Sequence, residues 1–513
     1  MLMTKELVFL PEPSLLFGHN QRALDPKDGL TLFGPFESTG SQSVQVGVIG
    51  TQLGLQLYSQ FVARVNNPIF SEDHRKRASF PGFGAVYGIN WPIMPAFGLV
   101  IADDEIDNLL AIDNLFERTF RLVSLYLNRI EKVTKEEELS LDLWFVVVPK
   151  RIWLNCRPNS ATNDNSIPNI QKIVAVKAGQ QIMFPEVQAD YDEYSRILDT
   201  SSDFHDQLKA RLLERNLTIP VQIILEPTLA FKDKYTEWEY RKEQMKAHLA
   251  WTQSATMYYK LGRLPWKLTD IRKGVCYVGL VFKQFTHGLP SKRGYACSAA
   301  QMFLDSGDGT IFRGNVGPWK SRAENEYHLD EAAAYELLSM ALNSYQQKND
   351  CYPAEIFLHG RAGFHNREWA GFVRAVQEVS SGTNLVGVVI KSSNKIKLFR
   401  DVEGKVCDYG NLRGLALLIS SKEAFLWTRG FIPKLNTSNS LEIPNPLRII
   451  IDKGDADINL VLRDIMCLTK LNYNACVYGD GLPVTLRFSD MVGSILTAVD
   501  EIGNRVLPFK YYI

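Results

Sequence analysis

"GVCYVGLVFK" (274–283), "ACSAAQMFL" (296–304) and "GTIFRGNVG" (309–317) follow one another closely, and they carry most of what the chain says about its second half. Each run has strand length, and the links between them are rich in turn residues, as in "DSGDG" (305–309). That pattern predicts an antiparallel meander. Helical periodicity over 329–348 comes next, then an apolar run "EIFLHG" (355–360), helical periodicity over 366–380, and a second apolar run "LVGVVIK" (385–391).

Three strands, helix, strand, helix, strand is the element order of a ribonuclease H-like domain, an analogy of fold that says nothing about activity. Upstream, "VQVGVIG" (44–50), "LWFVVVP" (143–149) and "IPVQIIL" (219–225) alternate with helical patterns, including one long pattern over 106–133. Alternating strands and helices predict an α/β first half with a mostly parallel sheet covered on both faces. Gly262 and Pro265 stop the helical pattern before the second unit. The expected division is 1–269 and 270–513.

Lys plus Arg and Asp plus Glu both total 57, which excludes a surface that is basic throughout and confines any nucleic-acid site to a local patch. Seven cysteines, with no CxxC spacing, are expected to be buried thiols in a reducing cytoplasm. No apolar run approaches the roughly 20 residues of a membrane span, and the start "MLMTKELVFLPEPS" has neither basic head nor cleavage site. A cytoplasmic protein with no membrane partner is the expectation.

A ribonuclease H-like nuclease gathers acidic side chains around two divalent ions. Here "VCYVGLVFK" holds no carboxylate, nor does "FLHGRAGF" (357–364). Asp490, read at the start of a helical pattern over 489–502, is either a surviving ligand or an N-cap. One carboxylate cannot hold two metals, so a domain that keeps its groove without cleavage is expected. A nuclease built on Asp305, Asp308 and Asp490 is the competing possibility, although "DSGDG" already makes sense as a turn. A hydrolase using His359 and His365 is weaker, since no Cys or Glu pair lies in register with them.

His205 and Lys209 stand four apart and share a helix face. With Arg211 and Arg215 nearby, a solvated face is the plain explanation. Gln222 and Lys260 widen the set, and two cations, an amide and a further lysine suit a terminal phosphate dianion.

The spacing H-x3-K-x12-Q, followed downstream by "KLGRLPW" (260–266), resembles the MID domain of Argonaute proteins, and the second half resembles their PIWI domain. "KDGLTLFGPF" (27–36), "CLTKLNYNACVYGDGLPVTLRFSD" (467–490) and "FKYYI" (509–513) are similar to the short prokaryotic members, which have no N and PAZ domains. The resemblance implies a Rossmann-like MID domain followed by a ribonuclease H-like PIWI domain. It implies that His205 meets the first nucleotide of a guide strand and that Lys209, Gln222 and Lys260 hold its 5'-phosphate. Thr256 stands where a second lysine is common, and the C-terminal carboxylate of Ile513 would share a Mg²⁺ with the phosphate. The degenerate catalytic positions are Val281, Arg361 and Asp490, so the chain itself would not cut. The implied partners are a short 5'-phosphorylated guide RNA, a complementary single-stranded DNA target, and an APAZ-containing effector, TIR in the first instance, with Sir2 or a nuclease as alternatives. The pair would form a heterodimer able to oligomerise on activation. Target pairing would activate NAD⁺ degradation by the effector in antiviral or anti-plasmid defence; direct cleavage of target DNA is the alternative.

Overall fold

The computed structural model describes residues 6–513 apart from 39–42, 73–77, 137–139, 159, 161–195, 218, 233–242, 271, 285–295, 304–308, 314–318, 322–325, 400, 407–409, 439–441 and 500–506. Asp305, Asp308 and Cys407 therefore lie outside the described residues.

In the first half, strands Phe97–Val100, Val46–Gly50, Leu143–Val148 and Val221–Leu225 lie side by side in that order, all parallel. The middle two are buried residue for residue, which is why they read as continuous apolar runs rather than as alternating ones. The single helix expected over 106–133 is two, Asp103–Leu110 and Leu115–Glu136. Asn114 causes the break, because its side-chain oxygen accepts the N–H groups of Phe116 and Glu117 at 3.0 and 3.1 Å and starts a new helix.

The second half is built on a ten-stranded mixed sheet. Its centre is Val275–Gln284, Glu355–Gly360 and Asn384–Ser392, mutually parallel, and the expected meander runs antiparallel from Val275–Gln284 through Ala296–Phe303 to Gly309–Arg313. Period two sorts the first of these strands: Cys276, Val278 and Leu280 pack under helices Glu331–Asn349 and Asn366–Val379. Tyr277 and Val281 join the core on the other face. There Gly279 lets helix Val484–Leu496 come close, since a Cβ at 279 would collide with the Thr485 carbonyl. That helix begins after Pro483, so Asp490 sits inside it and cannot be its N-cap.

The two sheets share one continuous core. Trp266 Nε1 donates to Lys470 O at 3.1 Å, and Tyr473 OH donates to Trp266 O at 2.9 Å. Both chain ends are woven into the large sheet. Glu6–Phe9, grouped with the first half in the expected division, pairs with Leu415–Ser420 at one edge of the second-half sheet, and Leu507–Pro508 pairs at the other. Of the cysteines described, 156, 276, 467 and 476 are buried as expected, whereas Cys351 is exposed. Among the described residues no helix is long and apolar enough to cross a membrane.

Candidate guide-end pocket and candidate groove

Helix Phe204–Glu214 starts at Asp203, whose carboxylate accepts the Asp206 N–H at 3.1 Å. It is not a solvated face. Lys209 is 3% exposed and Arg211 is equally buried, with its guanidinium donating to Phe120 O and Ser124 Oγ; His205 at the start of the helix and Arg215 just past its end reach the surface, Arg215 against Glu131.

Lys209 Nζ donates to Tyr512 O at 3.0 Å, which brings the end of the chain to this helix. Lys260, 1% exposed and the last residue of helix Glu243–Lys260, donates to Val221 O at 2.7 Å, directly before Gln222. Both ammonium groups thus sit in the interior on backbone carbonyls, with no carboxylate among the described residues hydrogen-bonded to either. Burial pushes Lys209 down to about 7, partly offset by Asp206. Burial and then the charge of Lys209 push Lys260 well below the ordinary lysine value. A buried pair of cations costs several kcal/mol per ion unless something anionic arrives.

Gln222 Oε1 is buried without a hydrogen-bond partner among the described residues. Thr256 lies one turn before Lys260, but its hydroxyl is engaged, donating to Thr252 O at 2.9 Å and lying 3.3 Å from Asn474 Oδ1. Ile513 is buried, and within "FKYYI" Phe509–Tyr511 form a single 3₁₀ turn. His205 sits apart from the lysines' carbonyl contacts. It is exposed, with Nδ1 2.9 Å from Asp206 Oδ1.

His205 also lines a cavity of about 210 Å³ with Val148, Trp153, Arg157, Asp203 and Leu225. Val148 and Leu225 end their parallel strands, the place where open α/β sheets receive ligands. Arg157 lies over the Trp153 ring at 3.9 Å, so the wall offers an aromatic face and a cation. Sequence inspection passes over this pair, although W-x3-R just after a strand end is a visible signal. Asp203, His205 and Asp206 could between them offer three ligand atoms within 4.8 Å of one another. The cap bond and the His205–Asp206 contact already account for that cluster.

Val281, Arg361 and Asp490, which the resemblance makes degenerate catalytic positions, also converge. Gly360 pairs with Leu280 in parallel register, which sets Arg361 level with Val281. Val281 is buried, and Asp490 Oδ1 is 2.8 Å from Lys283 Nζ while its Oδ2 is 3.8 Å from Arg361 Nη2. Among the described residues of this cluster Asp490 is the one carboxylate, already engaged by two cations beside a valine, a set that does not fit a pair of divalent ions. His359 is buried with Nδ1 2.9 Å from Thr485 Oγ1, and burial pushes it down to about 3, while His365 caps helix Asn366–Val379. Neither is arranged as a metal ligand.

No protein-family model matches the chain, and no curated protein matches it. Solved structures do. Argonaute of Clostridium butyricum, bound to a guide DNA and a 19-mer target DNA, superposes with a TM-score of 0.62 over 97% of this chain at 16% identity. The chain has an Argonaute fold. A. aeolicus Argonaute gives a TM-score of 0.51 over 96% at 14% identity, and Drosophila Piwi 0.56 over 98% at 12%. The chain spans about half the length of these proteins, covering 53%, 54% and 56% of them respectively. Such identities speak for the fold alone, and that fold agrees with a Rossmann-like first half and a ribonuclease H-like second half.

Proposed function

We propose that this chain holds the 5'-phosphorylated end of a short guide RNA between its two halves and uses the guide to detect complementary single-stranded DNA without cutting it. The observation that carries this is the pair of interior ammonium groups, Lys209 and Lys260, resting on the Tyr512 and Val221 carbonyls. A phosphate dianion would give each a charge-assisted partner worth about 1.5–3 kcal/mol. The aromatic wall at Trp153, with His205 and Arg157, suits stacking of the guide's first base. Support for a guide-dependent function also comes from the Clostridium butyricum Argonaute, which was solved with a guide DNA and a target DNA.

Mg²⁺ suits the same pocket. The unpartnered Gln222 Oε1 can accept from a cation-bound water, and the terminal carboxylate of Ile513 is an oxygen ligand of the type the ion takes. When bound, the ion would neutralise part of the phosphate charge; Lys209 and Lys260 supply the rest.

The degenerate groove supports a sensor that acts through a second protein: an APAZ-containing effector, TIR in the first instance, Sir2 or a nuclease otherwise, in a cytoplasmic heterodimer that oligomerises on target pairing and depletes NAD⁺ as antiviral or anti-plasmid defence. The direct test is competition binding of a short RNA carrying a 5'-phosphate against its 5'-hydroxyl twin. Wild type should prefer the phosphate at least tenfold, and Lys209→Ala should lose that preference while keeping its affinity for the hydroxyl form. Equal losses on both RNAs would sink the pocket assignment. A cleavage assay with Mg²⁺ or Mn²⁺ on guide-matched DNA decides between sensor and nuclease, and product that disappears with Asp490→Ala would favour the nuclease.

A further inference from the structure

We propose that Lys283 and Arg361, spaced by Asp490, form a metal-free seat for one backbone phosphate of the target strand, at the point of the groove where a nuclease would place its ions. This rests on the guide-dependent function proposed above and adds what the groove does once cleavage is gone.

Three elements bring the cluster together. Lys283 lies two residues after Val281 and so on the same face of strand Val275–Gln284. Arg361 follows the last residue of the neighbouring parallel strand, and Asp490 comes from the helix packed across Gly279. Two parallel strands therefore present cations at their carboxyl ends, where ligands of open α/β sheets bind.

The charges do not cancel. Two cations share one carboxylate, which leaves a net single positive charge for an anion. Asp490 is close enough to hydrogen-bond only Lys283; at 3.8 Å its other oxygen is beyond hydrogen-bond length from Arg361. Among the described residues Arg361 has no other partner, so its planar fork of N–H donors is left for a phosphate. All three side chains remain reachable, at 32% exposure for Lys283, 39% for Asp490 and 49% for Arg361.

Lys283 is also aimed. A Cβ at Gly493 would come within 2.7 Å of the Lys283 Cγ, so the bare glycine, one turn after Asp490 on the same helix, makes room for the lysine stem. An ordinary surface ion pair needs no such accommodation. Asp490 then acts as the spacer that holds the ammonium in place, and the guanidinium closes on the phosphate from the opposite side.

The test uses full-length chain loaded with a 5'-phosphorylated guide RNA, with loading measured first. Binding of complementary single-stranded DNA is then followed from low to high salt. Lys283→Ala/Arg361→Ala should weaken target binding on the order of tenfold at about 0.15 M salt and leave guide loading unchanged. The log–log salt slope should become shallower by about 1.4–1.8, at roughly 0.7–0.9 for each cation removed from the phosphate backbone. Lys283→Arg/Arg361→Lys, which keeps both charges, should retain the wild-type slope. Asp490→Asn should bind target at least as well as wild type. Normal loading with an unchanged slope in the double alanine variant overturns the seat alone. Failure of wild type to load the guide overturns the guide-dependent function, and the seat with it.

Discussion

Lys209 is the residue on which the energetics turn. In the folded chain its ammonium is pushed down to about 7, from an ordinary value of 10.5, because burial disfavours the charged form. The sign follows from which state binds more protons. Between about 7 and the ordinary lysine value the unfolded chain holds a proton that the fold has released, so the stability of the guide-free protein rises with pH across that window. Phosphate binding works the other way, because it restores the charge. Affinity for a 5'-phosphate is expected to fall as pH rises above about 7, with proton uptake on binding visible as a buffer-dependent heat in calorimetry. Lys209→Met should weaken both effects, leaving the share that Lys260 carries, and raise the melting temperature of the guide-free chain, since an uncompensated buried cation gives way to an apolar side chain of similar length. A Met variant that is less stable and keeps the pH dependence in full would mean that some other group carries the charge. Spacing alone marks Lys209 and Lys260 in the sequence. It does not reveal that their waiting partners are the carbonyls of Tyr512 and Val221, because backbone groups leave no trace in residue identity.

Among the elements, the strand Val275–Gln284 and helix Val484–Leu496 decide the shape of the groove. They touch through Gly279, which has no side chain to hold the helix off the sheet. Gly279→Ala should force the helix outward and cost about 1–3 kcal/mol of stability, the usual scale of overpacking. It should also displace Asp490 from Lys283, which chemical denaturation and target binding together would register; a variant with wild-type stability would mean the helix has room to give. The strands were legible because their apolar runs are short and bounded by turns. Element ends were less so. Asn114 breaks one apparent helix in two, and another begins just after Pro483, well before Asp490. An asparagine cap sets the first of those ends and a proline the second, and hydrophobic periodicity runs straight through both.

At the scale of the molecule, a buried ionic clasp ties the N-terminal segment to the second half. Glu12 accepts from Arg413 through both oxygens, at 2.9 and 3.1 Å, and from Lys470 at 2.8 Å. Burial pushes the Glu12 carboxyl up, but Arg413 and Lys470 more than offset it and hold it below the ordinary range. Its contribution is therefore present above the ordinary glutamate pKa and is lost as pH falls through the lowered one. Glu12→Gln leaves two interior cations short of their counter-charge and should cost about 3–5 kcal/mol, read as a drop in the denaturation midpoint at neutral pH that narrows in acid. A drop of the same size at every pH would place the cost in packing instead.

By itself the sequence determined the two α/β halves, the succession of their elements along the chain, the absence of a carboxylate from 274–283 and from 357–364 in the second half, and where Lys209 and Lys260 stand. These are properties of local pattern and residue type, and periodicity records them directly. Only the tertiary structure decided that helix Phe204–Glu214 is interior, that the last residues close on Lys209, that Glu12 meets Arg413 and Lys470, and that Lys283 and Arg361 flank Asp490. Each of those depends on which surfaces meet across hundreds of residues, and burial, which sets the energy of a charge, exists only once they have met.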